Sequence, residues 1–461
     1  MVQNKRFVFF KSFFIMLISI AMQNVLVYSV NLADNIMLGR FSENAMSGVG
    51  LVNQIQFLLQ MLITGTGEGI IVIAARHWGE GDTISIKRVT SVGMRFALVF
   101  SGIMFLGALL FPESVIGLLT DKSEFIAEGA KYLRIIAFTY PIFAVTNILL
   151  STLRSVETTR IGLVISIVTL ITNVSLNYVL IFGKLGFDAM GAEGAAVATL
   201  ISRVIELVIV AVYTFGIDQK IKLHIRDFFT RTGNMTRRFV RTSVPVVLSG
   251  GSWGIAMGLQ TAILGRLSDA SVVPANSIAT TVFSIVTVFV YGSSTAAGVV
   301  LGKMIGEDRK AIAEGKLTKD DSTAAVKSRA RALQLIFLSL GVLTAIILFS
   351  VKGLIISFYD VSEATKELAN SFMIILSVTV IGTAYQMPCH TGIIRAGGDT
   401  SFVFWVDLIF MWGLVLPSSF IAAFVFDLSP IFVFICLKCD QILKCTVASI
   451  KVNRFRWIKD I

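Results

Sequence analysis

An acidic residue inside an apolar stretch is the part of this sequence best suited to chemistry. Asp34 stands in the run Val30-Asn31-Leu32-Ala33-Asp34-Asn35-Ile36-Met37, and no basic residue lies within one helical turn of it. An ionisable side chain in hydrocarbon costs about 2.5 kcal/mol or more, so such a residue is a functional candidate by default. Burial without a cation also favours the neutral form of a carboxyl group. The sequence therefore predicts that Asp34 binds and releases a proton or a metal ion.

Two other acids are candidates for a second acidic site, Glu68 and Asp399. Glu68 lies between Gly67 and Gly69, and small residues of this kind let another helix approach closely. Asp399 follows Gly397-Gly398 near another apolar stretch. For each acid, the alternative is a buried hydrogen bond or a nearby basic partner.

Two further acids have a basic residue at helical spacing. Glu206 follows Arg203 by three positions, and Asp440 precedes Lys444 by four. Residues three or four apart are neighbours on a helix surface. We expect each of these pairs to form an ion pair.

Asn173 and Asn177 are four residues apart in an apolar stretch, so they share one face of a helix. Two amides on one face predict a polar patch that faces either a pore or another helix. Ordinary hydrogen bonding between helices explains them nearly as well.

The composition shows which elements must position these residues. The chain has 461 residues, of which 55% are hydrophobic and 15% charged, against about 45–50% and about 25% in soluble domains. Its apolar stretches have about the 20 residues that a helix needs to cross a bilayer. We predict an all-α polytopic membrane protein with twelve transmembrane helices. The stretches lie near 12–36, 46–75, 92–111, 135–153, 161–182, 191–215, 243–265, 272–302, 333–351, 371–394, 401–426 and 429–447.

The basic residues predict the orientation of these helices. When the loops are assigned alternately to two sides, one side holds 29 Lys and Arg residues and the other holds 8. Cytoplasmic loops carry the excess of Lys and Arg. The distribution predicts a protein of the cell membrane with both termini in the cytoplasm. It also explains the net charge of +11 without a nucleic-acid partner.

Short motifs recur in corresponding places of the two halves. Leu38-Gly39-Arg40 recurs as Leu264-Gly265-Arg266, and Gly79-Glu80 recurs as Gly306-Glu307. Transporters are commonly built from such repeats, and halves with an even number of spans share one orientation. We predict an N-terminal six-helix lobe (1–216), a cytoplasmic linker (217–241), a C-terminal six-helix lobe (242–447) and a cytoplasmic tail (448–461), with the lobes pseudo-symmetric.

The runs Ala33–Arg40, Gly194–Thr199 and Arg395–Thr400, together with Asn173 and Asn177, resemble the multidrug and toxic compound extrusion (MATE) transporters. The resemblance spans essentially the whole chain. It implies two lobes in a V around a central cavity, and antiport of organic, usually cationic, compounds against H⁺ or Na⁺ by alternating access. It implies no cofactor, and a monomer whose partners are small organic substrates and the lipid bilayer.

In bacterial MATE transporters a cation site lies in the N-terminal lobe. An aspartate on the first helix, two polar residues on the fifth and a threonine on the sixth form it. By motif position these correspond to Asp34, Asn173, Asn177 and Thr199, and Ala195 could offer its backbone oxygen. Some members have a carboxylate where Asn177 stands, so the coupling ion is left open between H⁺ and Na⁺. Na⁺ at Asp34 is the sole metal that this resemblance suggests.

The C-terminal lobe departs further from the resemblance. Some members carry a glutamate in the seventh helix, where this chain has Trp253. We therefore expect the N-terminal lobe to couple to the ion. The candidates for lining the substrate cavity, which lipid or helix packing would explain as well, are Gln54, Gln60, Met257, Gln260, Tyr291 and Tyr385.

Two other functions are open at this point. A lipid-linked saccharide flippase of related architecture would need a cationic cavity for pyrophosphate, and Arg203 and Lys438 are the clear basic candidates within the stretches. An integral-membrane enzyme would need a cluster of catalytic residues. The three histidines, His77, His224 and His390, form no such cluster with carboxylates by spacing. A structural or receptor role gives no reason for an acid without a local counter-charge at Asp34.

Overall fold

The computed structural model of this chain describes residues 2–120, 123–267, 269, 271–357, 359 and 361–459. The side chains of residues 2–5, 35, 43–45 and 47 lie outside this description. Within the described ranges the chain is helical, and an isolated antiparallel bridge joins Gly398 to Ile458. The predicted all-α class is confirmed.

The α-helices follow one another along the described chain. They are α1 (Val2–Phe41), α2 (Glu43–Glu80), α3 (Thr83–Leu110), α4 (Pro112–Gly117), α5 (Ser123–Ile136), α6 (Thr139–Ser155), α7 (Arg160–Phe182), α8 (Gly191–Val212), α9 (Met235–Gly265), α10 (Val272–Val286), α11 (Val288–Ala313), α12 (Lys319–Ser357), α13 (Glu363–Met387), α14 (Thr400–Phe410), α15 (Leu416–Phe424), α16 (Pro430–Lys438) and α17 (Asp440–Asn453). π-Helical turns lie at Tyr213–Ile217, Pro388–Ile394 and Met411–Val415, and a 3₁₀ turn lies at Ile225–Phe229.

Ten helices of the described chain are long and apolar enough to cross a membrane. An eleventh span results if α5 and α6 count as one, bent by 50°. The predicted stretch 429–447 is helical but divides into α16 and α17, of 9 and 14 residues. The structure therefore confirms a polytopic membrane protein, with ten or eleven long spans where the sequence predicts twelve.

Two of the spans change their helical pitch beside a proline. α13 passes into the π-helical turn at Pro388, and the turn Met411–Val415 comes just before Pro417. Proline has no N–H to donate to the preceding turn, so the local hydrogen bonding must rearrange. The chain stays helical through both prolines, and each span continues.

The chain divides into two compact units. One, here called the N-terminal unit, consists of Met22–Trp78 and Asp82–Val247. The other, the C-terminal unit, consists of Met1–Ala21, Gly79–Gly81 and Leu248–Ile461. The lobe boundaries 1–216 and 242–447 stay a prediction from the sequence.

In the N-terminal unit, α7 and α8 pack closely. α7 ends at Phe182 because Gly183 adopts a φ of 65°, a left-handed conformation that favours glycine. On α8, a Cβ added at Gly194 would lie 2.7 Å from the backbone oxygen of Leu180. Glycine at that position therefore lets the two helices approach, which brings their polar faces together.

The C-terminal unit has a core of aliphatic and aromatic side chains from several helices. Phe372 of α13 stacks on Phe434 of α16, with ring centroids 4.0 Å apart. α13 also contacts α17 closely, since a Cβ added at Gly382 would meet the backbone of Gln441. These contacts hold the two short helices α16 and α17 in one position beside α13.

Candidate cation site

A chain of hydrogen bonds connects three helices of the N-terminal unit. Asn177 of α7 donates from its Nδ2 to Oδ1 of Asp34 on α1. The same Nδ2 donates to Oδ1 of Asn173, at 3.0 Å. Asn173 in turn donates from Nδ2 to Oγ1 of Thr199 on α8, at 3.2 Å. The structure thus brings these four predicted residues into one network.

The amides of this network are buried more deeply than its acid. Asn173 and Asn177 expose 1% and 0% of their surface, whereas Asp34 is half-buried. Both N–H bonds of the Asn177 amide are used, and its Oδ1 is buried without a hydrogen-bond partner among the described residues. A buried acceptor without a donor costs about 1–3 kcal/mol. Asn177 therefore offers an oxygen that a cation, or the proton of an acid, could satisfy.

A cavity of about 70 Å³ lies beside the network. This volume has room for a small cation or a few water molecules, since one water occupies about 30 Å³ of the liquid. Ala195, the fifth predicted residue, lies on its wall. The lining residues are Val30, Asn31, Asp34, Leu38, Val49, Asn53, Gln56, Tyr132, Thr169, Asn173, Ala195, Thr199, Ser202 and Arg203.

Arg203 also lines the cavity. The sequence analysis did not predict this position for it. Its Nη1 lies 2.7 Å from Oε2 of Glu206, so the predicted ion pair is confirmed. Asp34 itself forms no ion pair within the part of the chain that the structure describes, although the charge of Arg203 acts on it. Arg203 follows Thr199 by four residues, and this spacing on one helical face was the signal that could have placed it here.

Glu68 does not line this cavity. The half-buried Arg154 of α6 interacts electrostatically with Glu68 and with Glu206, and its Nη2 donates to Oε1 of Gln23 at 3.0 Å. Beside Glu68, Gly67 packs against the side chains of α6, since an added Cβ would lie 3.0 Å from Oδ1 of Asn147. This placement favours the structural alternative for Glu68.

Asp399 lies outside the apolar spans, just before α14, and it is paired twice. Its Oδ1 accepts from Nζ of Lys459 at 2.5 Å, and its Oδ2 lies 2.7 Å from Nζ of Lys451. Burial alone would raise the pKa of this carboxyl, but the hydrogen bonds and charges of the two lysines outweigh it and hold the pKa below its usual value. Asp399 is therefore ionised in a fixed pair, which favours a structural role over a second acidic site.

Two acids in helices of the C-terminal unit, Asp407 and Asp440, share one lysine. Nζ of Lys444 lies 3.1 Å from Oδ2 of Asp440, as the spacing predicts, and 3.2 Å from Oδ1 of Asp407. Oγ of Ser249 donates to the other oxygen of Asp407 at 2.7 Å. Unlike Asp34, both carboxylates therefore have a lysine as a permanent counter-ion.

None of the side chains predicted to line the substrate cavity borders the Asp34 cavity. Gln260 is buried, with Nε2 at 3.3 Å from Sδ of Met411, and the hydroxyl of Tyr385 donates to Oε1 of Gln334 at 2.7 Å. The other four are exposed or half-buried, and lining a substrate cavity stays a prediction for all six. The six are Gln54, Gln60, Met257, Gln260, Tyr291 and Tyr385.

The ligand chemistry of the site suits a small monovalent ion. Among the described residues, no group of three or more His, Cys, Asp or Glu side chains could hold a metal ion. The network around Asp34 provides one carboxylate with neutral amide and hydroxyl oxygens. Such a group matches a proton or a hard monovalent cation, which takes oxygen ligands.

Comparison with known proteins supports one family. The family model MatE matches residues 19–179 and 255–421, one range in each half of the chain. The chain is 24% identical over 439 residues to the probable multidrug resistance protein NorM of Thermotoga maritima, with 95% of this chain and 90% of the relative covered. It is 25% identical over 400 residues to the multidrug resistance protein PmpM of Pseudomonas aeruginosa, covering 85% and 79%.

The fold is also similar to that of solved MATE transporter structures. A solved structure described as the outward-facing conformation of a multidrug resistance MATE family transporter superposes with a TM-score of 0.86. The two chains are 19% identical, and the match covers 98% of this chain and 97% of the other. The architecture is thus shared over nearly the whole length of both chains.

Proposed function

We propose that this chain, which belongs to the MatE family, exports organic compounds, mainly cationic ones, across the cell membrane in exchange for H⁺ or Na⁺. The family consists of membrane transporters, so the protein is a multidrug efflux transporter and not an enzyme. The exchange mechanism, its ion and the residues below are our proposal.

The observation that carries the proposal is the contact of Asp34 with Asn177 beside the cavity. Asp34 can change its charge there, because within the described chain it has no ion pair to hold it ionised. When Asp34 is ionised, the amide N–H of Asn177 donates to it. When Asp34 is protonated, it becomes a donor. If the amide of Asn177 then rotates by 180°, its oxygen can accept that hydrogen bond. The network thus has one arrangement for each charge state.

The same groups could coordinate Na⁺. The carboxylate of Asp34, the amide oxygens of Asn173 and Asn177, the hydroxyl of Thr199 and the backbone oxygen of Ala195 are all oxygen ligands, as hard cations prefer. An ion bound here would draw α1 toward α7 and α8. The loaded and empty sites would then favour different packings of α1.

Exchange follows if the substrate favours the packing that the ion disfavours. A ligand shifts a conformational equilibrium only by its difference in affinity for the two states. Two ligands that prefer opposite states weaken each other's binding by the same factor. Asp34 would thereby couple entry of the ion to export of the substrate, by alternating access.

The flippase alternative receives no comparable support. Arg203 is held in its ion pair with Glu206, and Lys438 does not line the Asp34 cavity. A pyrophosphate site would need cations that are free to face a cavity. We therefore prefer multidrug antiport, with both termini in the cytoplasm and a monomeric protein.

The test is efflux of a cationic dye such as ethidium in inverted membrane vesicles with an imposed proton gradient, with and without Na⁺. Asp34→Asn keeps the size of the side chain but cannot ionise, so it should abolish ion-driven transport while the protein still inserts. The matched control is Asp188→Asn, because Asp188 is an exposed acid in the same unit. Unchanged efflux in Asp34→Asn would remove Asp34 from the coupling role, and the Na⁺ arm identifies the ion.

A further inference from the structure

A basic groove of about 450 Å³ lies in the C-terminal unit, between the start of α1 and the first half of α12. Arg6, Lys327 and Arg331 supply three positive charges to it, and Ser328 supplies a hydroxyl. Ala324, Ala332 and Leu335 complete the lining. The transport mechanism proposed above uses none of these residues.

The three cations of this groove have no acidic partner among the residues that the structure describes. Within the described chain, Arg6, Lys327 and Arg331 form no ion pair with a carboxylate. The ring of Phe455 lies below two of them, with its centroid 5.0 Å from Nζ of Lys327 and 5.8 Å from Cζ of Arg331. Contact with an aromatic face orients a cation while leaving its N–H groups free to bind an anion. The groove is therefore an arranged cluster of unsatisfied positive charge.

The acids near this groove act on another arginine, Arg329. Arg329 of α12 lies over the ring of Phe9, at 5.6 Å. The charges of Asp308 and Glu307 act on Arg329, and Arg6 opposes them. Asp308 and Glu307, at the end of α11, therefore compensate part of the charge of Arg329.

The groove opens onto the apolar surfaces of the two helices that form it. α1 packs against α12 through Phe13 and Phe337, whose ring centroids are 6.4 Å apart. Next to the cations, Phe7 on α1 and Leu335 on α12 expose 66% and 67% of their surface. Further exposed apolar side chains continue along both helices, at Val8, Phe14, Ile15 and Ile18 and at Leu338, Val342, Leu343 and Ile346.

We propose that this groove binds the headgroup phosphate of an anionic phospholipid. Arginine and lysine side chains are the usual partners of phosphate, and arginine can bind two of its oxygens at once. Basic pockets between transmembrane helices at the cytoplasmic surface suit lipid headgroups of this charge. The acyl chains would lie along the exposed apolar faces of α1 and α12, which a soluble phosphate would leave uncovered.

The bound lipid would join the two helices. A ligand that binds the folded protein and not the unfolded chain stabilises the fold in proportion to its occupancy. Arg6 comes from α1, and Lys327 and Arg331 come from α12. One phosphate that contacts all three therefore holds the start of α1 on α12 and relieves the repulsion among the cations.

The test measures lipid binding by the intact protein and does not depend on transport. Phosphatidylglycerol and phosphatidylcholine are titrated into detergent-purified protein, and bound lipid is counted by native mass spectrometry. The groove variant is Arg6→Gln with Lys327→Gln and Arg331→Gln. The control variant is Lys222→Gln with Arg226→Gln and Arg231→Gln, which removes the same charge from exposed residues on the same predicted side.

We expect wild type and control to bind one phosphatidylglycerol at least about tenfold more tightly than phosphatidylcholine, and the groove variant to lose this preference. All six changes are at residues without ion pairs in the described chain, so each variant should elute as a folded monodisperse protein. Equal preference in the groove variant and the control would overturn the proposal. Glycerophosphoglycerol is the same headgroup without acyl chains, and its binding as tightly as the lipid would overturn it in favour of a soluble phosphate.

Discussion

At the scale of single residues, Asn177 determines how Asp34 is held. Its amide donates both to Asp34 and to Asn173, so it connects the acid on α1 to the network on α7 and α8. The sequence predicts the shared face of Asn173 and Asn177 from their spacing alone, but the partners across helices were identified through the family resemblance. Arg203 was missed as a cavity residue because its pair with Glu206 already explained it.

Replacing Asn177 should weaken both the fold and the coupling. Asn177→Leu keeps the side-chain size but removes both donors, and Oδ1 of Asn173 is then left without its donor. Loss of a buried partner costs about 1–3 kcal/mol. We expect a lower midpoint of thermal unfolding in detergent and at least about tenfold slower ion-driven dye efflux.

Thr169→Val is the matched control for Asn177→Leu. Thr169 lines the same cavity, but its Oγ1 is buried without a hydrogen-bond partner among the described residues, so its removal breaks no bond. Its efflux should stay within about twofold of wild type. Equal loss in the two variants would show that the cavity responds to any change of polarity and not to the network.

Asp399 gives a residue-scale prediction of acid sensitivity. Its pKa is lowered in the folded protein by Lys451 and Lys459, so its ion pairs stabilise the fold above the unfolded pKa of about 3.9 and are lost as the pH falls through the folded pKa. Asp399→Asn should cost roughly 2 kcal/mol at neutral pH, because it leaves both lysines without their partner.

Thermal unfolding of wild type and Asp399→Asn at neutral pH and below about pH 4 measures this effect. The difference between the two proteins should begin to shrink below about pH 4, and it should vanish once the pH is below the lowered folded pKa, where Asp399 is protonated in both states of the wild type. A difference that is the same at both pH values would contradict an ionised Asp399. Asp427→Asn, at an exposed loop residue, is the control.

At the scale of elements, the hydrophobic stretches predict the positions of the helices well, but they do not predict the breaks within them. The stretch 272–302 is two helices, because the chain departs from α-helical geometry at Thr287. There Oγ1 of Thr287 donates to the backbone oxygen of Phe283 at 2.8 Å, a contact that bends helices. Hydropathy does not record such local backbone geometry, so it does not predict where a helix breaks.

The end of α2 gives an element-scale prediction. Gly79 packs on α11 so closely that an added Cβ would lie 2.7 Å from the backbone nitrogen of Glu307, and backbone cannot move aside as a side chain can. Gly79→Ala should therefore cost about 1–3 kcal/mol through overpacking. The measurement is the midpoint of thermal unfolding in detergent.

The control for Gly79→Ala is Gly102→Ala on α3. An added Cβ at Gly102 meets nothing within 4 Å, so alanine there should be neutral or should stabilise the helix by up to about 1 kcal/mol. Equal losses of stability in the two variants would contradict the prediction that overpacking of Gly79 against α11 lowers the stability.

At the scale of the whole molecule, composition and motif order predict the class of protein, and the comparisons confirm it. The residues that contact substrate are harder to predict, because they depend on how each helix is rotated about its axis. On α2, Gln56 lines the Asp34 cavity whereas Gln54, two residues earlier, does not. Two positions on a helix point about 200° apart, and only packing decides which one faces inward.

The orientation of the whole chain is testable with reporter fusions. The predicted topology assigns 29 Lys and Arg residues to the side of both termini and 8 to the other, so fusions at the C-terminus should report the cytoplasm. A green fluorescent protein fused there should fluoresce, and an alkaline phosphatase fused there should be inactive. The reverse result would invert the predicted topology.

The most direct test of ion coupling at Asp34 is the equilibrium affinity of purified protein for a cationic dye, measured against pH and against Na⁺ concentration. If Asp34 holds the ion that competes with substrate, wild type should bind the dye more tightly as the pH rises or as Na⁺ is removed, by up to about tenfold per tenfold change in the ion. In Asp34→Asn this dependence should vanish. A dependence that persists in Asp34→Asn, or that is absent in wild type, would contradict the account.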